Sequence, residues 1–496
     1  MMKRKYSALL AVAGAAVMLG GCNIYRPYSR PQMETAGLYR DTVSVTDTLS
    51  GDTVNFGNRP WQEVFTDPKL QSLIEQGLSS NIDLLSAALV VQEYQAQLTA
   101  ARLAYVPSFT LAPSGELSWV QHGSLQKTYT LPLSASWEVD LFGKLLNSKR
   151  GAKAAWLQSE ATLRAVRTQV ISGIATGYYT LLMLDRQLEI TEQTIENWSL
   201  TVRMMKAMKL AGNVNEAAVV QSEANYYAVC ASKTDLLRSI RETENALSLL
   251  LGQPGQHIDR GAWDEQQLPD DFSAGVPVQL LSNRPDVQAA EMALVAATAN
   301  TNVARSAFYP QLSIGANGGW TNNLGSMIVN PAQAIFNATG SLVAPLFTRG
   351  QNRANLKTAK ARQEEARLAF QKSLLSAGNE VSDALFQYSS AAEKEAFRKE
   401  QIASLERSVS YTEQLLYLGT STYLEVITAQ QSLLSAQLSG VQDRFEQMQA
   451  VVSMRLSLLF TAWISCKYLS VFCFVLRLFY VFLKPNRKRF GPSFAG

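Results

Sequence analysis

Apolar and polar residues alternate strictly in four stretches of this 496-residue chain. The first pair covers 108–120 and 128–140, where aromatic and aliphatic side chains occupy one face and Ser, Thr and Glu occupy the other. The second pair, about two hundred residues later, shows the same alternation near 312–320 and 336–344. Period-two runs of this length, apolar on one side and aromatic near their ends, are typical of transmembrane β-strands. The alternative is a set of soluble hairpins that cap a helical domain.

Four such strands cannot close a membrane barrel on their own. An open sheet would leave backbone N–H and C=O groups facing hydrocarbon without hydrogen-bond partners, which costs several kcal/mol for each group. If the strands span a membrane, other chains must supply the remaining strands. The hydrogen-bond count therefore predicts an oligomer.

Two proline-free segments, from about 145 to 210 and from about 351 to 418, repeat apolar residues at intervals of three and four. This period predicts helices of roughly 65 residues each, on the order of 100 Å long, which is more than a globular domain needs. Small residues lie between the apolar ones and allow neighbouring helices to approach closely. The pattern suits a helical tube with a polar interior.

Each predicted rod ends at a glycine, Gly212 in the first case and Gly419 in the second. A left-handed glycine lets a helix stop and the chain reverse. Returning helices are expected over about 215–251 and 422–460. The chain thus repeats one unit, a strand pair followed by a long helical hairpin, and a repeat of this size points to an assembly built by symmetry.

The repeat divides the chain into six predicted parts. They are a signal peptide (1–21), an extended N-terminal segment with an equatorial region (22–80), a first repeat (81–251), a connector (252–283), a second repeat (284–460) and an atypical tail (461–496). Each repeat opens with a shorter helix, and its strands are expected at about 106–140 or 309–346, with the long hairpins at about 145–251 and 350–460.

The N-terminus has the form of an export signal. A basic start is followed by an apolar run, residues 6–18, that is too short to span a bilayer. The next residues, Leu19-Gly20-Gly21-Cys22, resemble the bacterial lipobox, which implies a diacylglycerol group on Cys22 after cleavage. The alternative is an ordinary signal peptide with an incidental cysteine. Asn23 is not the Asp that retains lipoproteins in the inner membrane of enteric bacteria, so the outer membrane is favoured.

Composition and residue spacing indicate no catalytic chemistry. The net charge of +4 is too small to argue for nucleic acid, and basic residues are mixed with acidic ones along the helices. The two histidines, His122 and His257, lie far apart, and no glycine-rich phosphate loop or Cys/His ligand spacing occurs. Four scattered cysteines do not form a disulfide framework, and Cys230 is expected to be a small packed residue. We therefore predict no enzyme activity, no cofactor and no metal site.

Several strings carry a specific resemblance to a known family. They are Tyr25–Pro31, Trp61–Ile74 with Asn81-Ile82-Asp83, Gly275–Glu291 running on to Pro310, and Leu418–Gln430. Together they are similar to the TolC superfamily of outer-membrane efflux proteins, and in particular to its lipidated OprM-like and CusC-like (NodT-type) branch. The resemblance covers nearly the whole chain up to Phe460. It implies a mixed α and β membrane protein, in which a trimeric twelve-stranded β-barrel continues into a twelve-helix α-barrel that crosses the periplasm.

The same resemblance implies a function. The protein would be the passive exit duct of a tripartite efflux system, a homotrimer in outer-membrane lipid that receives small molecules or metal ions from an inner-membrane pump of the RND type through a periplasmic adaptor protein. No nucleic acid is involved. The alternatives are a type I protein-secretion duct and a periplasm-spanning scaffold that does not conduct.

The hairpin tips are the expected functional elements, because in this family the helices coil inward there and close the pore. Glu425 matches one of the carboxylate positions of such tips, whereas Thr428 occupies the second. Three copies of Glu425 would form a cation-attracting constriction; the alternative is a place on the outer helix face. Leu416, Tyr417 and Tyr423 are candidate gate residues, with ordinary packing between helices as the alternative.

The two tips also differ in their expected roles. Gly212 and Gly419 would be the turns at which the adaptor docks. Only the second tip carries the string around Glu425, so gating asymmetry is expected there.

The tail departs from the family pattern. After Phe460 the chain continues with an aromatic stretch over 468–483, interrupted by Arg477, and then a basic run. A helical membrane segment here would place the protein in the inner membrane, in contradiction with the lipobox and the strands. We therefore interpret residues 461–496 as translation past a frameshift. A genuine amphipathic or membrane-contacting tail is the alternative.

Overall fold

The structure, a computed structural model, describes Tyr25 and residues 27–31, 60–119, 125–266, 284–324 and 327–458. The signal peptide, Cys22, the second part of the connector and the tail lie outside these residues. Among the residues described, no helix is both long enough and apolar enough to cross a membrane.

Each repeat runs from a helix through antiparallel strands to a long helical hairpin, and two further helices precede the first repeat. Helices α1 (Trp61–Val64), α2 (Pro68–Ser80) and α3 (Ile82–Leu103) lead to strands β1 (Ser108–Leu111), β2 (Ser114–Ser118) and β3 (Gln126–Val139), and then to helices α4 (Lys144–Leu210) and α5 (Glu216–Leu250). After a short 3₁₀ turn (Trp263–Glu265), helix α6 (Pro285–Ser306) leads to strands β4 (Gln311–Leu324) and β5 (Met327–Val343), and then to helices α7 (Gln351–Tyr417) and α8 (Tyr423–Leu458). Helices α4 and α7 each have 67 residues, or about 100 Å at 1.5 Å per residue.

The strands form one antiparallel sheet in the order β1-β3-β4-β5, and β2 also pairs with β3. The sequence predicted an uninterrupted run over 108–120, but the structure breaks it after Leu111. The break falls at Pro113, which has no N–H to donate to a ladder. Leu111 pairs with Leu133 and Ser114 pairs with Thr130, so β1 and β2 occupy one strand position between them. Each chain therefore contributes four strand positions.

The register of the sheet gives it two chemically different faces. Phe109, Leu117, Leu133 and Trp320 lie on one face with exposed side chains. The opposite face carries Ser, Thr, Asn, Gln and Gly at most positions, because successive residues of a strand point to opposite sides. Both edges of the sheet, β1 with β2 on one side and β5 on the other, lack a strand partner among the described residues.

The hydrophobic core lies at the middle of the long helices. It includes Ile174, Leu181 and Phe370, none of which is exposed to solvent. Phe65, which directly follows α1, and Leu70 of α2 belong to the same cluster. Its members on α4 recur at three and four residues, as a helix buried along one stripe requires. The core therefore joins both repeats at one level, and the sheet and the hairpin tips lie at opposite ends of the helices.

A charged network holds the start of the connector against α4 and α5. Arg260 donates from Nε and Nη2 to Asp185 at 2.5 and 2.8 Å, and from Nη1 to Glu244 at 2.6 Å. The Arg260 side chain is 12% exposed, and these bonds raise its pKa above the usual range. Burial by itself would raise the pKa of Glu244, but the hydrogen bond and charge of Arg260, together with the bonds from the Ile258 amide and His257, outweigh burial and lower that pKa. The network fixes residues that are 75 and 16 positions apart.

Candidate functional site

The two helical hairpin tips turn on glycines in the left-handed conformation. Gly212 has φ +79° and Gly419 has φ +74°, and a Cβ at either position would meet no atom within 4 Å. The N–H groups of Gly212 and Asn213 donate to the carbonyls of Lys209 and Met208, a pattern that closes the end of α4. Gly419 and Thr420 make the equivalent bonds at the end of α7. Backbone conformation, rather than lack of space, therefore favours glycine at both turns.

Glu425 lies in the first turn of α8, where its carboxylate is held by the preceding turn. Thr422 donates from Oγ1 to Glu425 Oε1 at 3.3 Å, and the Ser421 hydroxyl donates to Oε2. A carboxylate in the first turn of a helix interacts favourably with the helix dipole and the free N–H groups there. The side chain is exposed in the single chain. Its position is thus compatible with a capping role as well as with a ring around a pore.

The candidate gate residues separate into two groups. Leu416 is buried in a cluster with Met205, Val219 and Val426, and Tyr423 packs against that cluster. Leu416 and Tyr423 therefore contact neighbouring helices of their own chain. Tyr417, in contrast, is 88% exposed beside the Gly419 turn.

Polar side chains tie the two hairpins together above the tips. Gln430 on α8 donates from Nε2 to Glu413 on α7 at 2.9 Å and to Thr201 on α4 at 3.4 Å. Gln431 donates to Asn225 on α5 at 3.2 Å. The contacts of Gln430 border a cavity of about 570 Å³ between α4, α7 and α8. Sequence reasoning missed these polar contacts, because residues 206 and 229 positions apart show no local pattern that relates them.

Histidine, cysteine and carboxylate side chains do not converge on a metal-binding geometry in the described part of the chain. No group of three or more His, Cys, Asp or Glu side chains that could hold a metal ion occurs there. His257 contacts Glu244 through Nδ1 at 2.8 Å, whereas His122 lies outside the described residues. Cys230 is half-buried and carries a free thiol.

Comparison with known proteins gives a consistent result in sequence and in structure. The family model described as "Outer membrane efflux protein" matches residues 73–253 and 276–458, one segment in each repeat. The Cation efflux system protein CusC of Escherichia coli O6:H1 is 30% identical over 428 residues, which is 84% of this chain and 91% of that protein. The Toluene efflux pump outer membrane protein TtgI of Pseudomonas putida is 27% identical over 448 residues, 89% and 95% of the two chains.

Two solved structures share the fold over most of their length. A crystal structure of CusC aligns with a TM-score of 0.78 and 27% identity, and the match covers 89% of this chain and 100% of that one. The outer-membrane channel OprN aligns with a TM-score of 0.78 and 25% identity over 88% and 99% of the two chains.

Proposed function

Since the chain belongs to the outer membrane efflux protein family, we propose that it passively conducts small molecules or metal ions from a periplasmic adaptor and an inner-membrane pump of the RND type to the cell exterior. The chain is an outer-membrane channel, the exit duct of an efflux system, as the sequence predicted. The predicted fold class, a trimeric β-barrel continued by an α-barrel, is confirmed by the solved relatives. The family is one of passive channels rather than enzymes.

One observation carries the proposal: a sheet with two open edges and an apolar face is joined directly to two helical hairpins about 100 Å long. In a homotrimer the β1 and β2 edge of one copy can pair with the β5 edge of the next, so four strand positions per chain give twelve. Closure satisfies the edge hydrogen bonds that a bilayer cannot satisfy. The polar face then lines a water-filled pore, and the apolar face contacts lipid.

Conductance in planar bilayers tests this proposal against the scaffold, and the phenotype of a deletion strain tests it against the secretion duct. The purified protein should insert and conduct, whereas a scaffold without a pore should not. A strain that lacks the protein should become sensitive to exported metals or solvents while its secreted proteins are unchanged; loss of a secreted protein would instead favour the type I secretion duct. Absence of conductance from correctly folded, cross-linkable trimers would overturn the proposal.

The hairpin tips are proposed as the gate and the adaptor-docking surface. Gly212 and Gly419 mark the two turns, and Leu210 and Leu418 next to them are strongly exposed, as apolar docking residues need to be. Three copies of Glu425 would narrow the entrance and give it a negative charge. The exposed Tyr417 would line the same entrance, while Leu416 and Tyr423 would hold the turn in place by packing against helices of their own chain.

A substitution that preserves the cap isolates the charge of Glu425. Glu425→Gln keeps an oxygen that can accept the bonds from Ser421 and Thr422 but removes the negative charge. We expect the conductance to rise and its cation preference to fall. Glu406→Gln, an exposed carboxylate on α7, is the matched control. Equal effects of both substitutions would contradict a specific role for Glu425.

The position of the N-terminal segment supports a lipid anchor on Cys22. The Tyr25 ring lies against Gly143, where the sheet passes into α4, and a Cβ at Gly143 would be 2.9 Å from that ring. Three residues span at most about 10 Å, so an acyl chain on Cys22 would start close to the membrane end of the helices. Palmitate labelling should mark the wild-type protein and disappear in Cys22→Ser. Label that persists in Cys22→Ser would contradict the anchor.

A further inference from the structure

The barrel wall carries very little charge. In the described residues of the five strands, the charged side chains are Glu116 on β2 and Lys127 and Glu138 on β3, while β1, β4 and β5 have none. Because the wall consists almost entirely of neutral residues, a few charged side chains determine the electric field inside the pore. The face and the partners of each charge therefore decide its effect.

The register separates Glu116 from Lys127 although the two lie close together. Glu116 pairs with Thr128, and Leu117 pairs with Lys127. Glu116 thus shares the polar face with Ser114, Ser118 and Thr128, whereas Lys127 shares the apolar face with Leu117 and Tyr129. A long Lys side chain on a lipid-contacting face extends its ammonium group towards the headgroups. The negative charge faces the pore, and the positive charge does not.

Glu138 also lies on the polar face, but it has a partner. Lys144, the first residue of α4, donates from Nζ to Glu138 Oε1 at 2.9 Å. Glu116 makes no salt bridge with any described residue, and its neighbours on the same face carry hydroxyl groups. Its charge is therefore the one that the pore wall leaves uncompensated within the described strands.

The topology places Glu116 at the external end of the sheet. Helix α3 leads into β1, and β3 leads into α4. The start of β1 and the end of β3 therefore lie next to the helices. β2 ends at Ser118 and β3 begins at Gln126, at the end of the sheet away from the helices. Because the helices extend into the periplasm, this end opens to the cell exterior.

We propose that three copies of Glu116 form a negatively charged ring at the external mouth of the duct, and that this ring favours the exit of cations over anions. The inference rests on the proposed trimeric duct. It deepens that function by naming cationic solutes, including metal cations, as the class that the outer end favours. Rings of carboxylates in cation channels act by the same electrostatic attraction.

The effect of the ring must depend on salt. The Debye length is about 10 Å at 0.1 M and about 3 Å at 1 M, so the charges act across a wide mouth only in dilute salt. With Coulomb interactions screened in this way, we expect Glu116→Gln to lower the cation-to-anion permeability ratio about twofold at 0.1 M. At 1 M the two proteins should give nearly the same ratio.

Reversal potentials under a KCl gradient test the ring, with the full-length protein in planar bilayers. Lys127→Gln is the matched control, because Lys127 lies in the next residue pair of the β2–β3 ladder but on the opposite face of the sheet from Glu116. Glu116→Gln should shift the reversal potential towards anion permeation, and Lys127→Gln should leave it unchanged. Both substitutions are repeated in a Glu425→Gln background, so that a charged constriction at the tips does not dominate the measurement.

The outcomes are distinct. A shift with Glu116→Gln in either background, lost at 1 M salt, supports the ring. No shift in both backgrounds overturns it, as does a shift with Lys127→Gln alone, which would mean that the faces are reversed. If the wild-type protein does not conduct, the duct itself fails rather than the ring.

Discussion

Replacing Arg260 by Met should release the connector from the long helices without unfolding the protein. Arg260 joins Asp185 on α4 to Glu244 on α5, and Met keeps an unbranched apolar stem that can fill part of the same space. The substitution leaves two carboxylates without their common partner. The nearby Gly261 amide, which donates to the Tyr178 hydroxyl at 2.8 Å, then reports how often this part of the connector opens.

The free-energy cost of Arg260→Met depends on how far Arg260, Glu244 and Asp185 are exposed to solvent. Removing one partner of a fully buried ion pair costs about 3–5 kcal/mol. Arg260 and Glu244 are each 12% exposed, but Asp185 is 38% exposed, so water screens part of the network. We therefore expect a cost of about 2–3 kcal/mol, which corresponds to local opening that is about 30 to 150 times more frequent.

Hydrogen–deuterium exchange measured by mass spectrometry reports the fraction of molecules in which this segment is open. Exchange of the segment 256–266 should accelerate by about that factor in Arg260→Met, while peptides from the buried part of α4 should be unaffected. Arg238→Met is the control, because Arg238 is 68% exposed and its ion-pair partners among the described residues, Asp235 and Glu242, lie on its own helix. Exchange at the wild-type rate in Arg260→Met, or equal acceleration in Arg238→Met, would refute this account of the connector.

Three further predictions concern the charged network around Arg260, the sheet and the hairpin tips. Because the folded-state pKa of Glu244 is lowered, the ionised carboxylate stabilises the fold, and this contribution is lost as the pH falls through that pKa. Exchange of segment 256–266 in the wild type, corrected for intrinsic rates, should therefore rise below about pH 4. In Arg260→Met the contacts of Glu244 with Ile258 and His257 remain while Arg260 no longer opposes burial, so the folded-state pKa of Glu244 should lie closer to its unfolded value and the acid-induced rise in exchange should be smaller than in the wild type; equal pH profiles would contradict this. Gly319→Ala should reduce the yield of folded trimer on gels, because a Cβ there overlaps a carbonyl oxygen of β3, whereas Gly318→Ala meets its nearest atom at 3.6 Å and should fold normally. Gly419→Ala should cost about 1 kcal/mol in local stability, measured by exchange at the second tip, and Gly419→Asn should cost less because Asn tolerates the left-handed conformation; equal costs would argue against the conformational explanation.

Local patterns in the sequence predicted the elements because each pattern reflects a short-range rule. Alternation over 128–140 reflects the two faces of a strand, and the interval of three and four in α4 reflects the turn of a helix. Gly212 and Gly419 signal the ends of two helices, because the left-handed conformation is costly for other residues. The same reasoning did not anticipate the break at Pro113, which lies inside an otherwise regular alternation.

The candidate site was only partly accessible to sequence reasoning. The resemblance of the segment 418–430 identified the second tip, but it did not distinguish the buried Leu416 from the exposed Tyr417. The bonds from Ser421 and Thr422 to Glu425 give that residue a second possible role, as a helix cap. The gate assignment of Glu425 stays a prediction that conductance can decide.

The sequence by itself predicted an export signal and determined the strand and helix periods, the glycine turns and the need for more strands than one chain supplies. Only the tertiary structure decided which residues meet across long separations, such as Arg260 with Asp185, and whether charges on neighbouring strands, such as Glu116 and Lys127, share a face of the sheet. The physical reason is that a strand register shifted by one residue exchanges its two faces while leaving the sequence pattern unchanged. The pairing of Leu117 with Lys127 therefore places Lys127 on the same face as Leu117 and on the opposite face from Glu116.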